Sequence, residues 1–239
     1  MPRSNAGLAL DACDLRIGCA ERGVERVLLE IAHFRLFPRA QAAICGPSGS
    51  GKTTLLSTLA AIVRPLRGSV KWGAIDVTGL SPDASDRWRR GTLGFVFRDP
   101  HVFAGLSVLE NVLLPVRFER FRLDSASTAR ARELIARAGV SPEARVETLS
   151  RAELRRVAVA RALVNAPAIV LADEPAAGLD RAQADGLVAL LSALCRDADA
   201  TLIVATHDAQ LAANLDERYD LIEQTLRRHR KLRLVARAA

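Results

Sequence analysis

The stretch Gly46-Pro47-Ser48-Gly49-Ser50-Gly51-Lys52-Thr53 reads G-x-x-x-x-G-K-[ST], which is the pattern of a phosphate-binding loop. It follows an apolar, strand-like run at residues 42–45 and precedes a helix-like stretch that begins at Thr54. In that setting the glycines allow backbone N–H groups to point at phosphate oxygens, at the positive end of the helix. We therefore expect residues 46–54 to bind nucleotide phosphates, with Lys52 reaching the β- and γ-phosphates and the Thr53 hydroxyl contributing to a Mg²⁺ site.

Two further strand-like runs end in polar residues. Residues 168–172 are followed by Asp173 and Glu174, and residues 201–205 are followed, one residue later, by His207. Ligands of a parallel sheet bind at the carboxyl ends of its strands. We expect Asp173 to hold Mg²⁺ through water, Glu174 to orient or polarise the attacking water, and His207 to contact the γ-phosphate. Taken alone, each residue also fits a structural role at the end of a strand.

The order of the predicted elements indicates an α/β fold. Alternating apolar residues between Leu8 and Leu36 are typical of antiparallel strands. Later strands alternate with helices, which is typical of a parallel sheet with crossover connections. Further expected elements are strands at 68–73 and 93–97 and helices at 106–116, 125–138, 151–164 and 181–195. The helix after Ser150 has the clearest start, because Ser150 and Glu153 form the pattern of a capping box.

Composition limits the class of protein. A chain of 239 residues suits one α/β domain with an appended lobe, and no apolar run approaches the ~20 residues of a membrane span. The net charge of +7 rests on 34 basic residues, of which only three are lysines, a skew that genome base composition can produce. The dense basic segment at residues 227–233 fits either a solvated tail or an anionic membrane surface. Four scattered cysteines and the lack of an apolar leader predict a cytosolic chain without zinc, disulfides or a secretory signal.

With these motifs in place, the chain resembles the ATP-binding subunits of ABC transporters over essentially its whole length. The motifs are Walker A (46–53), Walker B (169–174), the D-loop (178–180), the switch histidine (His207) and a signature segment (149–153) followed by its helix. Residues 93–97 and 109–115 are similar to the lipoprotein-release and macrolide-export branch, whose membrane partners usually have four transmembrane helices.

The resemblance implies a P-loop NTPase core of the RecA-like type. This core has a parallel sheet, an N-terminal antiparallel β-subdomain and an inserted α-helical subdomain. We expect one domain over residues 1–239, with the core and β-subdomain at 1–97 and 161–239 and the helical subdomain at 98–160. The resemblance also implies that two subunits pair head to tail, with ATP between the P-loop of one and the signature of the other.

The resemblance further implies an ATP-hydrolysing subunit that drives an integral membrane permease by ATP-dependent dimerisation. We expect ATP and Mg²⁺ as ligands, a second ATPase subunit (a homodimer), no nucleic acid, and a peripheral location on the cytoplasmic face of the inner membrane. The expected site residues are Gly46, Pro47, Ser48, Gly49, Ser50, Gly51, Lys52, Thr53, Thr54, Ser150 and Asp180 for the nucleotide, Thr53 and Asp173 for the metal, and Glu174 and His207 for catalysis.

Two other functions stay open. One is a regulatory ATP-binding subunit with weak hydrolysis that controls a membrane protein other than a transporter. The other is a soluble ABC ATPase that acts on nucleic acid or ribosomes, although 239 residues leave no room for the twin domains or long insertions of that class.

Three features depart from the family pattern. Arg98 stands where the family has a glutamine that helps to hold Mg²⁺, and a guanidinium cannot coordinate a cation. Arg151 and Ala152 replace the two glycines of the signature, where a Cβ crowds the approach to phosphate. No aromatic residue lies near Cys19 to stack on adenine, so apolar contacts are expected there. These departures fit either tolerated variation or slow turnover by an impaired site.

The segment after Arg98 is the expected docking surface for the membrane partner. It covers about residues 99–118, with Val102, Phe103 and Leu106 as apolar contacts. The alternative is that these side chains pack inside the helical lobe.

Overall fold

The structure is a computed structural model that describes residues 7–21, 24–119 and 123–229. Residues 230–233 of the basic segment and the first residues of the chain lie outside these ranges. Within them the strands are β1 (Leu10–Glu21), β2 (Val24–Leu36), β3 (Gln41–Cys45), β4 (Arg67–Trp72), β5 (Ile75–Asp76), β6 (Leu93–Val96), β7 (Ile169–Asp173), β8 (Thr201–Thr206), β9 (Glu217–Ile222) and β10 (Thr225–Arg228). The helices are α1 (Lys52–Leu59), α2 (Pro82–Thr92), α3 (Val108–Glu119), α4 (Ser125–Arg137), α5 (Arg151–Leu163), α6 (Arg181–Asp197) and α7 (Ala209–Ala212), with a 3₁₀ turn at Val146–Thr148.

The N-terminal strands form an antiparallel sheet in the order β2-β1-β4-β5. β1 and β2 pair along their length, from Leu10 opposite Leu36 to Arg16 opposite Glu30 and beyond. Every second residue at the start of β1 is buried, which is the period of a strand with one face on a core. The prediction of antiparallel strands in this part of the chain is confirmed.

The larger sheet has the order β10-β9-β3-β8-β7-β6. Strands β9, β3, β8, β7 and β6 are parallel, and β10 adds an antiparallel edge. The neighbouring strands β3, β8 and β7 therefore end at one edge of the sheet, and all three are buried along their length. This edge brings together the segments that follow residues 45, 173 and 206.

Helix α1 lies between the two sheets. Its residues Leu55, Leu56 and Leu59 are fully buried in a cluster with apolar side chains of both sheets. Burial of this kind stabilises by about 1.5–3 kcal/mol for each leucine, before the entropy of ordering is subtracted. The start of α1 is consequently held firmly against the end of β3.

Helices α3, α4, α5 and α6 form a helical layer whose buried residues belong to a second cluster, whereas Trp88 of α2 packs in the cluster around α1. Helix α5 contacts α3, α4, α6 and β6. The capping box predicted at Ser150 is present, and Gly139 follows α4 with a φ of 66°. The helix predicted from residue 106 begins later, at Val108, and continues through Pro115. Sequence patterns missed α2, β9 and β10. Among the described residues, no helix is both long and apolar enough to cross a membrane.

Candidate functional site

The loop between β3 and α1 closes around the ammonium group of Lys52. Its Nζ donates to the carbonyl oxygens of Gly46 at 2.8 Å and Pro47 at 3.0 Å. The side chain is 6% exposed, so its charge is held inside the loop and not in bulk water. A loop that holds a buried cation is suited to bind a phosphate group.

Gly51 precedes α1 in a backbone conformation that favours glycine. Its φ is 98°, and a Cβ at this position would lie 2.9 Å from Cδ2 of Leu29. No side chain caps α1, so the N–H groups of its first turn are available to an anion. The buried Oγ of Ser50 has no hydrogen-bond partner within the described ranges, which marks the loop as a place for a further polar ligand. Ser48 and Gly49 form its exposed tip, and the carbonyl of Thr54 accepts from the Thr58 hydroxyl at 2.9 Å.

Asp173, the last residue of β7, faces the start of α1. Its Oδ2 accepts from the Thr53 hydroxyl at 2.7 Å, while Oδ1 is buried with no partner within the described part of the chain. Burial raises the pKa of Asp173, against the hydrogen bond from Thr53, which lowers it. A hydroxyl and a carboxylate with a free oxygen fit Mg²⁺, which prefers oxygen ligands and usually shares them with phosphates. No group of three or more His, Cys, Asp or Glu side chains within residues 7–21, 24–119 and 123–229 could hold a metal without such help.

Glu174 connects the loop to the end of β8. Its Oε1 lies 3.3 Å from Nζ of Lys52, and its Oε2 lies 2.9 Å from Nδ1 of His207. The backbone φ of 44° is unusual for a residue with a side chain, and the N–H is held by the carbonyl of Ala205 at 2.9 Å. Such conformations cost about 1–3 kcal/mol and persist where the surrounding structure enforces them. Five of the expected residues, Lys52, Thr53, Asp173, Glu174 and His207, thus form one connected group.

Ser150 lies apart from this group, at the start of α5. Its hydroxyl donates to Oε2 of Glu153 at 2.6 Å, and this bond holds the pKa of Glu153 below its usual range. The Oγ of Ser150 also accepts a hydrogen bond from the backbone N–H of Glu153 at 3.3 Å. Within the described part of the chain, no hydrogen bond joins Ser150 to the loop at residues 46–53. Its hydroxyl serves only its own helix in the single subunit.

Asp180 caps α6 by accepting from the N–H of Gln183 at 2.9 Å. The next residue, Arg181, pairs with Asp208 at 2.9 Å, directly after the expected switch histidine. Sequence analysis missed Arg181, and no spacing pattern marks a contact across 27 residues. The pair ties the D-loop to the end of β8 within one subunit.

Two of the departures from the family pattern lie at the surface. Arg98 is exposed after β6. Its positive charge lowers the pKa of Asp173 to a minor extent, whereas burial raises that pKa. Cys19 is exposed on β1, opposite Arg26 of β2. Neither residue takes part in the connected group around Glu174.

An apolar groove of about 500 Å³ lies between β6 and the helical layer. Phe97, Phe103 and Phe118 line it with large exposed surfaces, and Arg89 and Arg90 are basic members of its lining. Of the three expected docking residues, Phe103 lines this groove with 55% of its surface exposed. Val102 instead packs against the buried core, and Leu106 is half-buried.

Comparison with known proteins gives the same family from sequence and from structure. A family model described as "ABC transporter" matches residues 29–177. The ATP-binding protein LolD 1 of the lipoprotein-releasing system of Rhodopirellula baltica is 39% identical over 211 residues, which cover 87% of this chain and 92% of that protein. A LolD of Hahella chejuensis is 37% identical, with 83% and 87% covered.

Solved structures agree. The dimeric structure of the bacterial ABC transporter cassette MJ0796, in a post-hydrolysis state bound to ADP and Pi, superposes with a TM-score of 0.82 at 30% identity. The match covers 94% of this chain and 99% of that one. CbiO1 of Clostridium perfringens, part of an ABC transporter complex, gives a TM-score of 0.79 at 25% identity, with 91% and 86% covered.

Proposed function

Since the chain belongs to the ABC transporter family, as an ATP-binding and ATP-hydrolysing subunit, we propose that it works in pairs that close on Mg-ATP and open after hydrolysis. The expected P-loop NTPase fold of that family is confirmed by the solved cassettes.

The connected group around Glu174 is the observation that carries the proposed chemistry. Lys52 and the loop amides hold the β- and γ-phosphates, because the buried ammonium lies inside the loop and no side chain of the described residues caps the start of α1. Thr53 and Asp173 hold Mg²⁺, which neutralises phosphate charge when bound. Glu174 accepts a hydrogen bond from the attacking water, and His207 keeps the carboxylate oriented through the 2.9 Å contact.

Ser150 completes the site of a second copy. Among the described residues its hydroxyl hydrogen-bonds only with Glu153, and no side chain caps the start of α1. A second subunit in head-to-tail arrangement supplies the start of α5, where backbone N–H groups and the helix dipole favour an anion. Closure of the dimer therefore depends on the γ-phosphate, and loss of that phosphate on hydrolysis opens the dimer.

The oligomeric state tests this proposal. The Glu174→Gln variant retains every phosphate contact but cannot take the proton of water, so it should remain dimeric with Mg-ATP. Light scattering should give about twice the subunit mass with Mg-ATP and the subunit mass with Mg-ADP. A monomer under both conditions contradicts ATP-dependent pairing.

We further propose that the apolar groove receives a cytoplasmic helix of the membrane permease. Three exposed phenylalanines in one groove are unusual for a surface that meets only water. The loop that carries Phe103 is fixed from beneath by Asn111, a fully buried residue. Its Oδ1 accepts from the Phe103 N–H at 2.8 Å, and its Nδ2 donates to the carbonyls of Phe103 at 3.2 Å and Ser107 at 3.1 Å.

The same loop is linked to the helix that begins with Ser150. Arg161 of α5 donates to the carbonyl of His101 at 2.8 Å and also to that of Pro100. Partial burial lowers the pKa of the guanidinium, and these carbonyls supply hydrogen bonds that compensate its charge. Movement of α5 during closure would therefore displace the groove, and with it the permease.

A pair of phenylalanine variants tests the groove. Phe103→Asp should release the chain from membranes that contain its permease and should leave the melting temperature within a few degrees, because the side chain is largely exposed. Phe37→Asp is the matched control, since Phe37 is 81% exposed in the turn before β3. Equal membrane binding by both variants, or unfolding of the Phe103 variant alone, contradicts docking at this groove.

The relatives support a proposal about cargo and location. The LolD proteins are named for lipoprotein release, so we propose that the permease driven by this chain handles lipoproteins. The chain would then bind the cytoplasmic face of the inner membrane, as one domain with residues 98–160 as its helical lobe. Depletion of the chain should leave lipoproteins in the inner membrane, as measured by fractionation, and unchanged lipoprotein sorting contradicts this cargo.

A further inference from the structure

Two arginines at the start of α5 reach the D-loop of the same subunit. Nη1 of Arg151 donates to the carbonyl of Gly178 at 3.4 Å, and Nη2 of Arg155 donates to the carbonyl of Ala177 at 3.0 Å. The residues are four apart, so both lie on one face of the helix, one turn from each other. They bind consecutive carbonyls of the segment that leads to Asp180.

The guanidinium of Arg151 lies over the backbone of Gly178. A Cβ on Gly178 would lie 2.9 Å from Nη1 of Arg151, and the φ of 77° at Gly178 also favours glycine. The guanidinium therefore covers a stretch of backbone that carries no side chain. Arg151 stands where the resembled signature has glycine, so this contact is a property of the present chain.

The positive charges of Arg151 and Arg155 are unfavourable at the start of a helix unless negative partial charge lies beside them. A cation in the first turns of a helix meets the positive end of the helix dipole, which is unfavourable. Arg155 is only 6% exposed, and burial lowers its pKa, while the neighbouring charges of Arg151 and Arg98 act in the same direction and Asp99 opposes them. The carbonyl oxygens of Ala177 and Gly178 supply negative partial charge at this point.

We infer that Arg151, supported by Arg155, is a positioning residue that fixes residues 177–180 against the start of α5. This inference rests on the proposed closure of two subunits on ATP. The D-loop and Ser150 then move as one unit, and Arg181 extends the connection to Asp208 beside His207. The arginine at the third position of the signature thus serves to order the D-loop, and it is not a defect of the site.

Hydrogen exchange on the nucleotide-free chain tests the contact itself. Arg151→Ala should raise amide exchange in a peptide that covers residues 175–181, because the backbone there loses a partner. Arg145→Ala, an exposed arginine six residues earlier, is the matched control and should leave that peptide unchanged. Unchanged exchange in the Arg151 variant overturns the inference.

Turnover tests its consequence. Arg151→Ala should lower kcat about fivefold, the effect of one hydrogen bond, without a change in ATP affinity or melting temperature. The kcat of Arg151→Lys should fall between that of the unaltered chain and that of Arg151→Ala, since an ammonium can reach one carbonyl but lacks the planar fork of a guanidinium. A kcat of Arg151→Ala equal to or above that of the unaltered chain overturns the positioning role. If the unaltered chain neither dimerises with ATP nor hydrolyses it, the proposed function fails instead, and the exchange result still decides the contact.

Discussion

The P-loop edge of the large sheet and the start of α5 differ in how their polar groups are satisfied. At the P-loop edge, Lys52, Glu174 and Asp173 are buried and contact one another or their neighbours within 3.3 Å. At the start of α5, Ser150 is exposed, and among the described residues its hydroxyl hydrogen-bonds only with Glu153 of the same helix. The charged groups of the first region are buried and contact one another within one chain, whereas the second region presents an exposed hydroxyl.

Because of this difference, we expect the first region to serve nucleotide binding and the second to serve closure of the dimer. A buried, preorganised group can hold nucleotide in a single subunit, because its charges already face the loop. An exposed helix start adds little to binding in the same subunit, but it can recognise the phosphate of another. Changes in the first region should therefore alter affinity and chemistry, and changes in the second should alter pairing.

The largest effect is expected at Glu174. Glu174→Gln should lower the ATPase rate about a thousandfold, in the range of a lost general base, with little change in ATP affinity. Glu143→Gln removes an exposed carboxylate and serves as the control. A rate within tenfold of the unaltered chain, measured by phosphate release, would remove Glu174 from the chemical step.

Lys52 should show the next largest effect. Lys52→Ala should weaken ATP binding about a hundredfold, because charge-assisted hydrogen bonds to phosphate are lost. Lys71 is exposed on β4, so Lys71→Ala is a control with the same loss of charge. Calorimetric titration of both variants with Mg-ATP decides the matter, and equal affinity would contradict the phosphate-loop assignment.

Ser150 should affect pairing alone. Ser150→Asp and Ser150→Asn both keep a good helix cap, so their melting temperatures should agree. Only the aspartate places a negative charge at the helix start, and it should prevent ATP-dependent dimers while a single subunit still binds ATP. Equal dimerisation of the two variants, measured by light scattering, would contradict a role of Ser150 in pairing.

Arg98 should show the smallest effect. Its positive charge lies near enough to influence the pKa of Asp173, so it opposes a cation at that carboxylate. Arg98→Gln should lower the Mg²⁺ concentration needed for half-maximal turnover about threefold, the size expected for one exposed charge. A higher Mg²⁺ requirement in the variant would make Arg98 a contributor to the site.

The P-loop edge could be predicted almost completely from sequence. Motif spacing located Lys52, Thr53 and the residues that end β7 and β8, because parallel strands must deliver their carboxyl ends to one edge. The strained backbone of Glu174 and its contact with Lys52 could not be predicted, since they depend on the packing of β7 against β8. β9 and β10 were missed because their apolar residues are few and mixed with charges.

The start of α5 was only partly predictable. The capping box follows directly from Ser150 and Glu153, which are local in sequence. Arg151 could be identified only as a departure from the signature, because its partner Gly178 lies 27 residues away. For the same reason no pattern linked Arg161 to Pro100 or Arg181 to Asp208. Contacts of long side chains with distant backbone require the structure.

Mixing two inactive variants tests most directly the claim that the two regions complete each other across subunits. In a head-to-tail pair of Lys52→Ala and Ser150→Asp chains, one site carries both changes and the other carries neither. The mixture should hydrolyse ATP well above the sum of the two variants measured separately. A rate equal to that sum would contradict a site built from the P-loop of one subunit and the start of α5 of another.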